Sequence, residues 1–92
     1  MTDFLVHDNQ DNVGVVVKDI KSGDILIGKS MDQGKALQLT ARQDLPLGHK
    51  IALKDLKTGG TVIKYGEDIG RVVVDIRAGE HVHIHNLKTK RW

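Results

Sequence analysis

Three of the five histidines in this chain lie at alternate positions near its C-terminal end: His81, His83 and His85. Alternate residues of a β-strand project to the same face of the strand. We therefore expect a strand here, with the three imidazoles on one face and with Val82 and Ile84 pointing into a core. Imidazole is the side chain best suited to binding metal ions and moving protons near neutral pH. An exposed edge strand that is only rich in histidine is the alternative interpretation.

The spacing limits what these histidines could do together. Side chains two residues apart on a strand have Cβ atoms about 6.5–7 Å apart, so two neighbouring rings could reach one metal ion. The outer pair, His81 and His85, would lie roughly twice as far apart. A straight strand therefore offers at most two metal ligands, and further ligands would have to come from elsewhere. Binding an anion or transferring protons is the other chemistry open to the same face.

Cationic groups also follow a turn in the middle of the chain and accompany a tyrosine further on. His49 and Lys50 come directly after Gly48, at the mouth of a predicted strand. There His49 could bond a carboxylate or sulfonate, and Lys50 could add a positive charge. The alternative is that Lys50 is solvated and His49 only caps the turn. Lys64 stands beside Tyr65, the only tyrosine of the chain.

A short repeat defines the elements that would position these residues. Asp, an aliphatic residue, two further residues and Gly recur at 19–23, 44–48, 55–59 and 75–79, each before a strand-like run. In such a turn Asp can accept hydrogen bonds from N–H groups just ahead, the aliphatic side chain anchors the turn in the core, and Gly supplies a positive φ. No segment keeps the apolar period of an amphipathic helix, so the sequence predicts a mainly β fold of short bent strands and hairpins. The expected strands include 13–17, 36–39, 60–65 and 72–74, with an exposed hairpin tip over 28–34.

The composition bounds the class of protein. The chain has 92 residues, no cysteine, and one each of Phe, Tyr and Trp. We expect a single small domain over residues 1–92, with a core poor in large aromatic groups and a surface that a partner covers in part. The sequence has no signal-peptide pattern and no apolar run of about 20 residues. We therefore expect a cytoplasmic protein that does not enter a membrane.

The formal net charge of +2 is concentrated in a basic tail, where Lys88, Lys90 and Arg91 precede Trp92. Three cations are too few for a nucleic-acid interface, which needs a broad basic face. They would suit a small anionic substrate or an acidic patch on a partner. Trp92 has no local core, so we expect it to dock on a partner chain.

Four ordered motifs resemble a known family. They are residues 11–13, residues 45–53 with the sequence Leu-Pro-Leu-Gly-His-Lys-Ile-Ala-Leu, residues 62–70, and residues 79–86. Over nearly the whole chain they resemble the SAF-type β-clip domain of the altronate dehydratase and galactarate dehydratase family. The resemblance implies a β-clip, in which bent strands fold over on themselves and no large helix occurs.

The resemblance also implies a lyase that removes water or sulfite from the β-carbon of a hydroxy acid and leaves a 2-keto acid. Such enzymes typically depend on a divalent metal, often Fe²⁺, which would here be bound mainly by a separate, larger β subunit in a hetero-oligomer. The ending, residues 86–92, is more similar to the branch that acts on sulfolactate than to the altronate branch. Dehydration of an altronate- or galactarate-type sugar acid is one alternative, and a non-catalytic SAF module for carbohydrate binding or assembly is another.

One family motif, Pro-x-Gly-His-Lys, matches residues 46–50. It implies that His49 and Lys50 hold the anionic substrate, and we expect Lys64 to contribute a further charge. These three residues are the expected substrate-binding cations.

The second motif, Val-His-x-His-Asn, matches residues 82–86. It implies that His83 and His85 are catalytic, either in proton transfer or as contributors to a metal site. Asn86 is expected to bind substrate or to orient an imidazole through a hydrogen bond. His81 lies outside the motif and ranks below the other two as a metal ligand. A role at an interface without chemistry is the alternative for both motif histidines.

Overall fold

The computed structural model describes residues 2–89, and this part of the chain consists of strands and turns without a helix. Its strands are β1 Phe4–Val6, β2 Val13–Val16, β3 Ile25–Ser30, β4 Ala36–Thr40, β5 Lys50–Ala52, β6 Thr61–Lys64, β7 Glu67–Val72, β8 His81–Val82 and β9 Leu87–Lys88. Six strands form one sheet in the order β4-β3-β1-β2-β5-β8, and three form a second in the order β6-β7-β9. The mainly β fold expected from the sequence is confirmed. Within residues 2–89 no helix is long and apolar enough to cross a membrane.

The four copies of the Asp-aliphatic-x-x-Gly turn pair two by two. Ile20 and Leu45 form an isolated antiparallel bridge, and Leu56 and Ile76 form another. All four aliphatic side chains are buried. The glycine that ends each copy has a φ of 87–94°, a conformation that is costly for any residue with a Cβ. The roles predicted for the aliphatic residue and the glycine are confirmed.

The aspartates of these turns bind the paired turn rather than their own. The Asp19 carboxylate accepts a hydrogen bond from the Leu47 N–H at 2.9 Å. In return, Asp44 accepts one from the Ser22 N–H at 2.9 Å. The second pair repeats this exchange, with Asp55 accepting from Ala78 and Asp75 from Thr58. The expectation that each Asp binds N–H groups just ahead of it is wrong, because the antiparallel bridge brings the N–H groups of the other copy to its carboxylate.

Buried side chains form two clusters, one on each face of the six-stranded sheet. The first surrounds Phe4, which is fully buried and lies against Gly28. A Cβ on Gly28 would lie 2.2 Å from the Phe4 ring, so the missing side chain makes room for the aromatic group. The second cluster joins Val82 of the large sheet to Val62 and Val72 of the small sheet. The small sheet thereby packs against the large one, with β6 beside β2.

Two strands end earlier than the sequence predicts. β8 stops at Val82, and residues 83–86 form a bend and turn instead of continuing the strand. Ile84 is consequently 72% exposed and does not point into a core. The physical reason is topological, since the chain must leave the large sheet at this point so that β9 can pair with β7 in the small one. The strand expected over residues 72–74 likewise ends at Val72, the last residue of β7.

The hairpin between β3 and β4 has a narrower tip than expected. β3 remains paired with β4 up to Lys29, and the turn covers residues 31–33. The docking role expected for Trp92, and the charges of Lys90 and Arg91, concern residues outside the part of the chain that the structure describes.

Candidate functional site

Antiparallel pairing of β5 with β8 brings His49 beside the C-terminal histidines. Ile51 lies opposite His81 and Lys50 lies opposite Val82, so His49 and His83 adjoin the same end of this pairing. The rings of His49 and His83 stack with their centroids 4.4 Å apart. Nδ1 of His49 and Nε2 of His81 are 2.8 Å apart, a hydrogen-bond distance. A residue 32 positions away in sequence thus joins the predicted imidazole face.

We define the histidine cluster as His49, His81, His83 and His85. One ring nitrogen from each of the first three lies within 4.8 Å of the others, and all three residues are half-buried. His85 is exposed and lies at the edge of the cluster. His81, which is outside the family motif, has ring contacts with all three of the others. The structure therefore brings His49 and His83 together, and it places His81 at the centre.

The bend after Val82 changes the geometry expected for the outer histidines. On a straight strand, the side chains of His81 and His85 would lie roughly 13 Å apart. In the structure their ring centroids are 5.3 Å apart, because residues 83–86 turn back on the strand. The expectation that these two rings cannot meet is therefore wrong.

Asn86 closes this turn with both polar atoms of its side chain. Its Oδ1 accepts a hydrogen bond from the His83 N–H at 2.9 Å, and its Nδ2 donates one to the His81 carbonyl at 2.7 Å. Asn86 is only 5% exposed. Its amide therefore holds the backbone of two cluster histidines, whereas the sequence suggested a contact with substrate or with an imidazole ring.

Gln43 supports the same strand from the other side and was missed by the sequence analysis. Its Oε1 accepts a hydrogen bond from the His81 N–H at 2.7 Å. Gln43 directly precedes the turn at 44–48, and Arg42 beside it donates its N–H to the Gly79 carbonyl. The contact depends on how distant turns pair, so no local sequence signal could have revealed it.

The surroundings of His81 and His83 favour uncharged imidazoles. The pKa of His81 is lowered to about 4, first by burial and then by the charges of His49, His85, His83 and Lys50 in that order. The pKa of His83 is also below its ordinary value, first through loss of hydration and then through the charge of His49. Each neighbour that acts on these two rings is a cation or can become one. His81 is consequently neutral at physiological pH and able to donate an electron pair.

Of the predicted substrate-binding lysines, Lys50 lies beside the histidine cluster rather than within it, and Lys64 lies near Lys50. Adjacent residues of β5 alternate between faces, so Lys50 projects toward the small sheet. Burial lowers the pKa of Lys50, and the charge of Lys64 on β6 lowers it further. Lys50 is also close enough for its charge to lower the pKa values of His81 and His83. This half-buried cation with a second cation nearby makes a suitable environment for an anionic group.

The hairpin that carries Lys64 contains a residue with a strained backbone conformation and is held in place by a carboxylate. Tyr65 has a φ of 56°, which costs a residue with a side chain roughly 1–2 kcal/mol. The Asp11 carboxylate accepts hydrogen bonds from the N–H groups of Tyr65 and Gly66 at 3.0 and 2.8 Å. The Lys64 ammonium lies 5.3 Å from the centre of the Tyr65 ring. Asp11 thereby fixes the position from which Lys64 acts on Lys50.

The donor set of the histidine cluster fits a divalent transition metal. Imidazole nitrogen suits Zn²⁺, Fe²⁺, Co²⁺ and Ni²⁺, whereas Mg²⁺ and Ca²⁺ prefer carboxylate, carbonyl and water oxygen. Each of His49, His81 and His83 offers one nitrogen to the common point, and the group contains no carboxylate. The arrangement can therefore hold a metal ion, bind an anion, or accept a proton.

Comparison with known proteins defines the class to which this fold and site belong. Residues 2–90 match the family model described as the altronate/galactarate dehydratase SAF domain. The chain is therefore a member of this family, and the resemblance noted in the sequence is confirmed.

Individual relatives fall in two groups. The (2R)-sulfolactate sulfo-lyase subunit alpha of Chromohalobacter salexigens is 56% identical over 91 residues, which are 98% of this chain and 97% of that protein. The subunit alpha of Paracoccus pantotrophus is 66% identical over 55 residues, 60% of this chain and 82% of that sequence. The altronate dehydratase of Bacillus subtilis is 37% identical over 97% of this chain but only 17% of its own length. The chain thus matches one sulfo-lyase subunit almost end to end, and a small part of a longer dehydratase.

Proposed function

We propose that this chain is the small subunit of a cytoplasmic, two-subunit lyase that eliminates sulfite from (2R)-3-sulfolactate and yields pyruvate. The observation that carries the proposal is the convergence of His49 with His81 and His83 at a surface to which Lys50 adds positive charge. Such a surface suits a small substrate that is anionic at both ends. The near end-to-end similarity to a sulfo-lyase subunit alpha supports this substrate over a sugar acid.

The reaction needs a base, a route for the leaving group and cations for the anionic ends. A base takes the proton from the carbon next to the carboxylate, the carbon–sulfur bond breaks, and sulfite leaves with the bonding electrons. The enol that remains takes up a proton at the carbon that carried the sulfonate, loses its hydroxyl proton, and becomes pyruvate. We propose the exposed His85, which lies outside the group of three converging ring nitrogens, as the base, with His83 contributing to the metal site. His49 and Lys50 would hold the carboxylate or sulfonate, and Lys64 would raise the local positive potential.

A divalent metal, Fe²⁺ by the family resemblance, would be held by imidazoles of the histidine cluster, at the cleft shared with the larger subunit. Bound there, it would act as a Lewis acid that stabilises negative charge developing on the substrate oxygens. Asn86 would position His81 and His83 through their backbone. The larger subunit would close the cleft and supply most of the contacts that select the substrate.

Elimination of water from a sugar acid is the second candidate. It is favoured by the similarity to the altronate dehydratase of Escherichia coli, which is 46% identical over 79 residues, 86% of this chain and 15% of that protein. In both reactions the base would remove a proton next to the carboxylate and the product would be a 2-keto acid. Only the leaving group would differ.

The test is reconstitution with the larger subunit, followed by assays for sulfite release from sulfolactate and for keto-acid formation from altronate and galactarate. We expect sulfite and pyruvate in equal amounts. Replacing His83 and His85 together by Asn should lower turnover by about 10²-fold or more, as loss of a general base does. His7→Asn is the matched control, because His7 lies outside the histidine cluster. Near-normal turnover in the double variant would exclude a catalytic role, and water elimination without sulfite release would favour the second candidate.

A further inference from the structure

We propose that this chain binds one divalent transition-metal ion by itself, through His49, His81 and His83, without ligands from the larger subunit. This inference deepens the proposed function by locating its metal. It differs from the sequence-based expectation in two respects. His49 and His81 become ligands, and the larger subunit is no longer required for binding.

The distances between the ring nitrogens are close to those of a metal site. At metal–nitrogen distances of about 2.0–2.1 Å, two ligands are separated by roughly 2.9 Å at right angles and about 3.4 Å in a tetrahedron. Nδ1 of His49 and Nε2 of His81 are already 2.8 Å apart. The whole set lies within 4.8 Å. Ring rotations that move the nitrogens by an ångström or so would complete a three-nitrogen face.

The backbone beneath these rings is held in place from several directions. His81 is paired with Ile51 across β5 and β8, and its N–H is bonded to Gln43. Asn86 ties the His81 carbonyl to the His83 N–H across the turn. His81 is on β8, and His49 and His83 directly adjoin the ends of β5 and β8. Ligands held by paired strands keep their spacing more precisely than ligands on free loops. A metal ion would therefore find three nitrogens that are already gathered, and little chain ordering would be needed.

The same geometry gives the metal open positions. All three residues are half-buried, so one side of the group remains accessible. Three protein ligands with an accessible fourth position are typical of catalytic rather than structural metal sites. Substrate or a group of the larger subunit could occupy that position. The all-nitrogen set favours Zn²⁺, Co²⁺, Ni²⁺ or Fe²⁺ and disfavours Mg²⁺.

His85 distinguishes this site from the one expected from the family motif. Its ring lies 5.3 Å from that of His81, but it does not belong to the set of nitrogens that meet within 4.8 Å. We therefore assign it no ligand role. Removing His81 should abolish the site, whereas removing His85 should leave it intact.

The experiment titrates the isolated chain with Co²⁺ and follows the visible absorption bands that report coordination number, and with Zn²⁺ by calorimetry. We expect one ion per chain, displacement of Co²⁺ by Zn²⁺, and no binding of Mg²⁺. His49→Asn, His81→Asn and His83→Asn should each weaken binding by more than the roughly 10–100-fold that loss of an outer-shell partner costs. His85→Asn and His7→Asn should bind like the unaltered chain. Equal affinity in His81→Asn, or equal loss in His7→Asn, would overturn the proposal.

A second measurement needs no variant. Zn²⁺ should shift the imidazole ¹⁵N resonances of His49, His81 and His83 in the unaltered chain and leave those of His7 in place; shifts confined to other histidines would overturn the proposal. The outcome is independent of the proposed reaction. A chain that binds metal in a complex that releases no sulfite would refute only the function. A sulfite-releasing complex whose small subunit alone binds no metal would refute only this inference.

Discussion

Replacing Asn86 by Ala separates a positioning residue from a substrate contact. The substitution removes the two side-chain hydrogen bonds that close the turn, at 2.9 Å to the His83 N–H and at 2.7 Å to the His81 carbonyl. Each such bond contributes about 0.5–1.5 kcal/mol net, so their loss should reduce the free energy of unfolding by about 1–3 kcal/mol. We expect the upper part of this range, because Asn86 is buried and the groups it leaves behind are partly shielded from water.

The assay is thermal and urea unfolding of the isolated chain. For a domain of this size, a loss of about 2 kcal/mol lowers the melting temperature by roughly 8–16 °C. Asn86→Asp is the matched control, since it keeps the acceptor for the His83 N–H and loses only the donor to His81. Its melting temperature should lie between those of the unaltered chain and Asn86→Ala. Because both histidines depend on this turn, Asn86→Ala should also weaken Zn²⁺ binding by the isolated chain by about 10–100-fold.

A different result would refute this reasoning. If Asn86→Ala unfolds at the same temperature as the unaltered chain, the two hydrogen bonds do not hold the turn. If the same variant also raises the KM of the assembled enzyme, then Asn86 contacts the substrate, as its place in the family motif first suggested.

Two further predictions concern the core and the pH dependence of stability. Gly28→Ala should destabilise the chain by about 1–3 kcal/mol, as overpacking does, because its Cβ would lie 2.2 Å from the Phe4 ring. Adding Phe4→Leu to the same chain should recover part of this loss. If urea unfolding shows that the losses of the two substitutions simply add, the two residues do not clash. Hydrogen bonding by the Ile27 N–H, followed by pairing with Lys18, holds the pKa of Asp3 below 3.8. A carboxylate whose pKa is lower in the folded than in the unfolded chain stabilises the fold at pH values above its unfolded-state pKa. This contribution to stability is lost as the pH falls through the folded-state pKa. The unfolding free energy of Asp3→Asn should therefore approach that of the unaltered chain between pH 6 and pH 2, and a constant difference would count against this ion pair.

Local chemistry allowed the class of fold to be predicted from the sequence, and it singled out several candidate site residues. Short β-branched runs between Gly-terminated turns indicate strands, because strand and turn preferences depend on the residue itself and its immediate neighbours. The positive φ of Gly23 and the burial of Ile20 follow from the repeated motif alone. His83 and His49 were identified by motif, and the structure brings them into contact.

What the sequence by itself determined is therefore the alternation of strand and turn, the family, and the types of residue available for chemistry. Only the tertiary structure decided which turns pair and that β8 stops after Val82. It also decided that His81 lies at the centre of the histidine cluster, where the side chains of Gln43 and Asn86 form hydrogen bonds with the His81 backbone. The physical reason is that these features depend on strand register between segments tens of residues apart. Strand register is determined by which face of each sheet is buried and by the route of the chain between the sheets. Neither can be deduced from the spacing of neighbouring residues.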